Sequence, residues 1–371
     1  MASLANAKLF QPIKVGALNL QHRAVLAPLT RFRADKYHVH GDLAVEYYSQ
    51  RASTPGTLLI AEATAISYDS SGWGHAPGIW NDAQIAAWKR ITDAVHAKGC
   101  YMVLQLLAIG RAAVPAALEL DGLGVIPVAP SAIPLNQFRD KPLRVLNKSE
   151  IVEYVTKFEQ AAKNALAAGF DGVELHGANG YLIDQFLQDV SNQRTDEYGG
   201  SIENRARFPL LALDALVRVW GQERVGARFS PWSPANQMRM ADPVPTFSHV
   251  IEQIKQRYPN FMYLHMIEPR IAGNDDSPGQ PGESNDFARD IWAPRPYLAA
   301  GGYSQEPEKG VAAAEEDGML IVFGRAFISN PDLPARLRKG IPLNKHDRST
   351  FYRVEAAEGY TDQPFAKENL N

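Results

Sequence analysis

The sequence predicts an α/β fold: a single (β/α)8 TIM barrel with an N-terminal β-hairpin cap and long rim loops. Eight short apolar runs recur from end to end, at 22–28, 57–63, 101–107, 172–176, 225–230, 262–266, 296–300 and 320–324. They are nearly continuous rather than alternating, as strands covered on both faces are. Helical patterns lie between most of them, which is the repeat a closed parallel barrel needs. The chain has 371 residues, and a minimal barrel needs about 250, so roughly a hundred are additions.

The elements follow in order. Residues 9–20 (LFQPIKVGALNL) read as a hairpin that closes the barrel bottom ahead of the first strand. After Asp82, residues Ile85, Trp88, Ile91 and Val95 recur at steps of three and four, and Gly99 ends that helix. Residues 110–147, rich in Ala, Pro and Gly, form a long excursion after the third strand. Asn147 and Glu150 stand three apart, as in a capping box, ahead of a helix carrying Ile151, Val155, Phe158 and Ala162. A further helix, 202–219, opens after Ser201 and stops at Gly221. Residues 268–295 are a Gly/Pro/Asp-rich loop after the sixth strand, and a short helix at 331–339 ends at Gly340. Long loops in compact domains are usually functional. No composition shift marks a linker, so one domain is expected over residues 1–371. The alternative, a doubly wound sheet with a small second domain, lacks a G-x-G-x-x-G after a strand.

Composition narrows the function classes. With 38 Lys and Arg against 41 Asp and Glu, the net charge is −3, which removes the main electrostatic argument for nucleic acid or an anionic membrane surface. The one cysteine, Cys100, excludes an intramolecular disulfide and a cysteine-built metal site, and reads as a small buried hydrophobe. No basic n-region with an apolar h-region opens the sequence, no run approaches the roughly 18 apolar residues of a membrane span, and no retention signal ends it. The expectation is a soluble cytoplasmic protein acting on a small molecule, without a metal.

In such a barrel the site lies at the C-terminal ends of the strands. The fourth strand ends His176-Gly-Ala-Asn179-Gly-Tyr181. His176 and Asn179 offer neutral N–H donors suited to an oxygen that gains negative charge. Tyr181 adds a phenol that can give a proton to carbon. The glycine pair Gly301-Gly302 and the pair Gly324-Arg325 end strands seven and eight, where barrels often bind phosphate through backbone N–H groups. Arg228, inside an apolar strand, needs an anion or electron-rich acceptor to offset its desolvation. Other polar residues fall away: His38 and His40 read as a solvated loop, and Asp275 and Asp276 as turn residues.

With those residues in place, the chain resembles the Old Yellow Enzyme family of FMN-dependent ene-reductases, in its fungal and yeast branch. The matching segments are 9–34, 47–64, 104–113, 169–208 and 323–352, so the likeness runs from about residue 9 to 365. HGANGYLIDQFL followed by YGGSIENR is its most specific part. The resemblance implies bound FMN, with NADPH as cosubstrate or NADH in its place, and a small α,β-unsaturated carbonyl substrate. It places Thr30, Gln105 and Arg228 on the flavin's polar edges, and Pro28, Leu29 and Ala63 along its ring. Gly301, Gly302, Gly324 and Arg325 would take the phosphate. His176 and Asn179 would hold the substrate oxygen, Tyr181 would be the proton donor, and Tyr352 an aromatic of the substrate pocket. Leu107 stands where many relatives carry tryptophan, and the aromatics some relatives have near Ala235 and after Arg270 are missing. A retained Tyr181 favours net reduction over the alternative, a flavin-dependent isomerase or biosynthetic step without net NAD(P)H consumption. The family leaves monomer and homodimer both open.

Overall fold

The computed structural model describes residues 6–119, 124–273 and 275–367. Both chain ends, part of the 110–147 excursion and Asn274 of the 268–295 loop lie outside the described residues. In chain order the strands are β1 (Ile13–Val15), β2 (Leu18–Leu20), β3 (Ala24–Leu26), β4 (Leu58–Ala65), β5 (Tyr101–Leu107), β6 (Val128–Ala129), β7 (Arg144–Val145), β8 (Gly172–Gly177), β9 (Val225–Phe229), β10 (Tyr263–Ile267), β11 (Ile271–Ala272), β12 (Asp275–Asp276), β13 (Tyr297–Ala300) and β14 (Leu320–Phe323). Among the described residues, β3, β4, β5, β8, β9, β10, β13 and β14 close, in that cyclic order, into a parallel barrel. Each of the eight apolar runs supplies one of these strands.

The hairpin β1–β2 pairs Ile13 with Leu20. It packs Val15, Leu18 and Leu20 against Leu58, Met262, Leu298 and Leu320 near the start of barrel strands, plugging that end with apolar side chains. The opposite end stays free for a site. Helices cover the outside. Residues Asp82–His96 and Lys148–Ala167 both open on complete capping boxes, at Asn81/Gln84 and Asn147/Glu150. Such reciprocal bonds satisfy N–H groups that the first helical turn leaves without partners. Ile202–Trp220 is capped by Ser201 and stopped at Gly221. No helix among the described residues is long and apolar enough to cross a membrane.

The structure departs from the sequence reading in specific places. The first strand is only Ala24–Leu26, because His22 is engaged sideways: its Nε2 meets Thr57 Oγ1 at 2.9 Å and its Nδ1 accepts the Ala24 N–H. The second runs on to Ala65 through a bulge between Ala61 and Thr64. The last helix starts at Leu333 rather than 331. The 268–295 loop is partly ordered, as the ribbon β11–β12 and the helix Asp286–Trp292. The 110–147 excursion builds its own small core from Ile109, Ala112, Ala113, Leu118 and Leu135, against which Trp73 and Tyr181 pack. His38 and His40 are buried, not solvated. His38 Nδ1 bonds the Ala76 carbonyl at 2.6 Å, and His40 lies 3.4 Å from the buried Glu62 with its ring edge-on to Trp88.

Candidate active site

At the open end lies a cavity of about 360 Å³, within the size range of small-molecule sites. Its wall brings together Pro28, Leu29 and Thr30 after β3, Asn179 and Tyr181 after β8, and Arg228 on β9. Gly301, Gly302, Gly324 and Arg325 form its other flank, and Tyr352 its rim. The remaining three residues implied by the resemblance, Ala63, Gln105 and His176, are buried in their strands rather than in the lining itself. Leu107 is also buried in its strand.

The turn after β8 is tightly fixed. Asn179 has φ +58° and Gly180 φ +76°, two successive left-handed residues that reverse the chain into the helix Leu182–Leu187. Asn179 N–H donates to Ser230 Oγ at 2.8 Å, and its carbonyl accepts from Asn236 Nδ2 at 2.8 Å. The Gly180 N–H donates to the buried carboxyl of Asp184 at 2.8 Å. His176 Nδ1 accepts the Ala178 N–H at 3.3 Å, so a neutral ring carries its proton on Nε2. Burial, with Arg228 and His265 nearby, holds His176 well below the usual histidine value, so the ring is neutral. Tyr181 stacks edge-on to His176 at 4.9 Å and to Trp73 at 5.4 Å. Burial, then Tyr352, raises the pKa of its phenol, which therefore stays protonated.

Below these residues a buried polar cluster interrupts the apolar barrel. Glu174 lies opposite Gln105 in the β5–β8 ladder and accepts from its Nε2 at 2.7 Å. Gln105 Oε1 and Arg228 Nε are buried without partners. Orphaned polar atoms of this kind are rare in native interiors and call for a ligand or water. A flavin's pyrimidine edge, with carbonyl and N–H groups side by side, fits that acceptor and donor pair. At the other flank Gly301 and Gly302 have φ +119° and +78°. A Cβ would stand 2.8 Å from Ile271 at position 301 and 2.8 Å from the Arg270 guanidinium at 302, and the positive φ of both favours glycine.

Arg325 presents its guanidinium fork to an anion, but the anion is the chain's own Asp276, at 2.8 Å from Nη1 and also bonded through Nη2. Asp275 in turn accepts from Arg348 at 2.8 Å. Both carboxylates therefore hold the ribbon β11–β12 to the rim, which corrects their reading as turn residues. An aspartate in a loop carries no sequence mark of a partner 49 positions away.

Sequence reasoning missed the aromatic wall. Phe32 and Trp73 line the cavity with ring centroids 6.0 Å apart, and Phe32 meets Tyr352 at 5.4 Å. Phe32 has φ +55°, an uncommon conformation for a bulky residue and one that clusters at functional sites. A signal was present for Trp73, an aromatic between two glycines in the loop after the second strand. Arg31 and Arg33 anchor the C-terminal segment that carries Tyr352. They donate to the Phe351 carbonyl at 3.1 and 2.8 Å, and Arg31 also to that of Gly359 at 2.6 Å.

A parallel barrel that gathers a glycine-lined flank, an arginine and neutral donors at one mouth has the layout of a small-molecule active site. Comparison with known proteins agrees. The chain matches the NADH:flavin oxidoreductase / NADH oxidase family over residues 8–344. It is 47% identical over 365 residues to the chanoclavine-I aldehyde reductase fgaOx3 of Penicillium roqueforti, covering 97% of each chain. It is 46% identical over 375 residues to the probable inactive reductase easA of Epichloe festucae var. lolii, covering 99% of this chain and 97% of that one. Its fold superposes on the Old Yellow Enzyme from Pichia sp. AKU4542 with a TM-score of 0.91, at 36% identity over 99% of this chain and 96% of that one. The chain belongs to the NADH:flavin oxidoreductase family and is an FMN-binding, NAD(P)H-dependent enzyme of the Old Yellow Enzyme type.

Proposed function

We propose that the protein is an NADPH-dependent ene-reductase that saturates the carbon–carbon double bond of an α,β-unsaturated carbonyl compound. When bound, FMN supplies the hydride, taken from NAD(P)H and delivered to the substrate β-carbon. Thr30, Gln105 and Arg228 hold its polar edges, Pro28, Leu29 and Ala63 its ring, and Gly301, Gly302, Gly324 and Arg325 its phosphate. His176 Nε2–H and the Asn179 amide hold the substrate oxygen and stabilise the charge that grows there. Tyr181 protonates the α-carbon, and its raised pKa keeps the proton on the phenol until that carbon becomes basic. Phe32, Trp73, Tyr181 and Tyr352 offer ring faces and edges to a flat, conjugated substrate. The relative from Penicillium carries an aldehyde substrate in its name, which makes an α,β-unsaturated aldehyde the first compound to try.

The observation that carries this reading is a protonated tyrosine and an asparagine lining one cavity with an arginine, and a neutral histidine buried behind them with its ring edge-on to that tyrosine. An isomerase needs no proton donor for net reduction, and Tyr181 is retained. The test is anaerobic: reduce the FMN-loaded enzyme with NADPH, then mix it with a panel of enals and enones. Reoxidation should follow with one saturated product per NADPH. Tyr181→Phe should leave flavin reduction intact and slow reoxidation by about a hundredfold or more. Full enone turnover by Tyr181→Phe would refute the donor role.

A further inference from the structure

The buried carboxylate beneath the cavity has no part in that chemistry. Glu174 is completely buried, and removing a carboxylate from water costs several kcal/mol unless charges and hydrogen bonds offset it. Here they do. Its Oε1 accepts from Gln105, while its Oε2 accepts from the Tyr263 hydroxyl at 3.0 Å and from His265 Nδ1 at 2.8 Å. These partners come from both sides of β9. Gly226 lies opposite both Glu174 and Tyr263 in the ladders, and a Cβ there would fall 2.3 Å from the Tyr263 ring. The absent side chain lets Tyr263 reach across the strand. Burial opposes ionisation of Glu174, but His265, then Arg228 and Gln105, outweigh it and hold the carboxyl below its usual range.

Two consequences follow for the cofactor. A carboxylate only accepts, so it takes the Nε2 end of Gln105 and leaves Oε1 as the free end. That atom is the buried orphan, an acceptor matched to a flavin's one pyrimidine N–H, at N3. The second consequence is charge. Two electrons and one proton convert the ring to a reduced form with one net negative charge, which Arg228 favours and a fixed carboxylate beside Arg228 disfavours. We propose that Glu174 is a positioning residue that orients Gln105 toward flavin N3–H and offsets Arg228, holding the bound flavin at a lower reduction potential. The proposal rests on the reading that Gln105 and Arg228 face FMN.

The test is the midpoint potential of the FMN-loaded enzyme. Glu174→Gln keeps the shape and removes the charge. It should favour reduced flavin by about tenfold or more, which is about 30 mV for a two-electron couple. Tyr263→Phe keeps the charge and removes one of its donors, so it should give no rise. General disturbance of the core would move both variants the same way, and that result overturns the proposal, as does an unchanged potential in Glu174→Gln. The orientation arm needs no variant: the wild-type apoprotein should bind N3-methyl-FMN at least tenfold more weakly than FMN, by fluorescence quenching. Equal binding of the two refutes the orientation. Failure of the wild-type protein to bind FMN at all would instead refute the flavin-site reading beneath it.

Discussion

Asp184 offers a quantitative test of how the turn after β8 is held. Its side chain is fully buried, with one oxygen accepting the Gly180 N–H and the other Gln188 Nε2, each at 2.8 Å. Those bonds and Arg111 favour the carboxylate, but burial outweighs them and raises the pKa from 3.8 to about 7. The sign follows from proton counting. Between pH 4 and 7 the folded state binds a proton that the unfolded chain has released, so stability falls as pH rises through that window and levels off above 7. A shift of about three units at 1.36 kcal/mol each makes the full loss about 4 kcal/mol. Asp184→Asn carries no titrating group and still offers an acceptor to Gly180. Denaturant unfolding of both proteins at pH 5, 6 and 7 isolates the effect, because all other groups cancel in the difference. The variant should gain on the wild type by about 1.3 kcal/mol from pH 5 to 6 and about 1 kcal/mol from pH 6 to 7, where Asp184 begins to ionise. Parallel stability curves would refute the buried acid, because they would mean that Asp184 is already ionised in both states across this range.

Two further outcomes follow from the site. Asp276→Asn removes the carboxylate that occupies Arg325, a partly exposed pair worth about 0.2–1 kcal/mol, so FMN should bind the apoprotein about 1.5- to fivefold more tightly by fluorescence titration; weaker binding would mean that Asp276 helps to build the phosphate cradle. His176→Ala should slow the enone half-reaction by about a hundred- to a thousandfold, equally at pH 6 and pH 8, because the ring is neutral across that range; a defect confined to pH 6 in stopped-flow traces would point to a charged donor.

The strands were legible because barrel strands buried on both faces leave unbroken apolar runs, and the strand ends then located the rim. Capping residues such as Asn147 and Ser201 marked helix starts for the same local reason. What escaped the sequence depends on distant pairing. The helix Asp42–Arg51 buries Tyr47 and Tyr48 among polar neighbours and shows no clean apolar stripe. Arg31 follows Thr30 past the end of the first strand, yet the fold turns its guanidinium away to carbonyls of the C-terminal segment. Glu174, Tyr263 and His265 did leave a trace, polar side chains inside the apolar runs GVELH and MYLHM. Which of them meet is set by register across β9, where Gly226 makes the opening, and that is a property of three strands together.

In the proposed reaction, burial explains why His176 and Tyr181 divide their work. The two rings meet edge-on, Tyr181 in the cavity lining and His176 buried behind it, and the same desolvation acts on each. For histidine it removes the cationic form, leaving a neutral N–H that can hydrogen-bond an oxyanion but is too weak an acid to protonate it. For tyrosine it removes the anionic form, leaving a phenol that keeps its proton at neutral pH. A charged imidazolium in the same place would bind anions before any chemistry and could put the proton on oxygen. With the donors neutral, the buried positive charge of the wall rests on Arg228, on β9 opposite His176 in the ladder. Negative charge that develops over the cavity beside Tyr181 is therefore met by fixed dipoles and by Arg228, while the transferable proton sits on Tyr181. Proton delivery to carbon rather than oxygen then follows from where the chain buries its two rings.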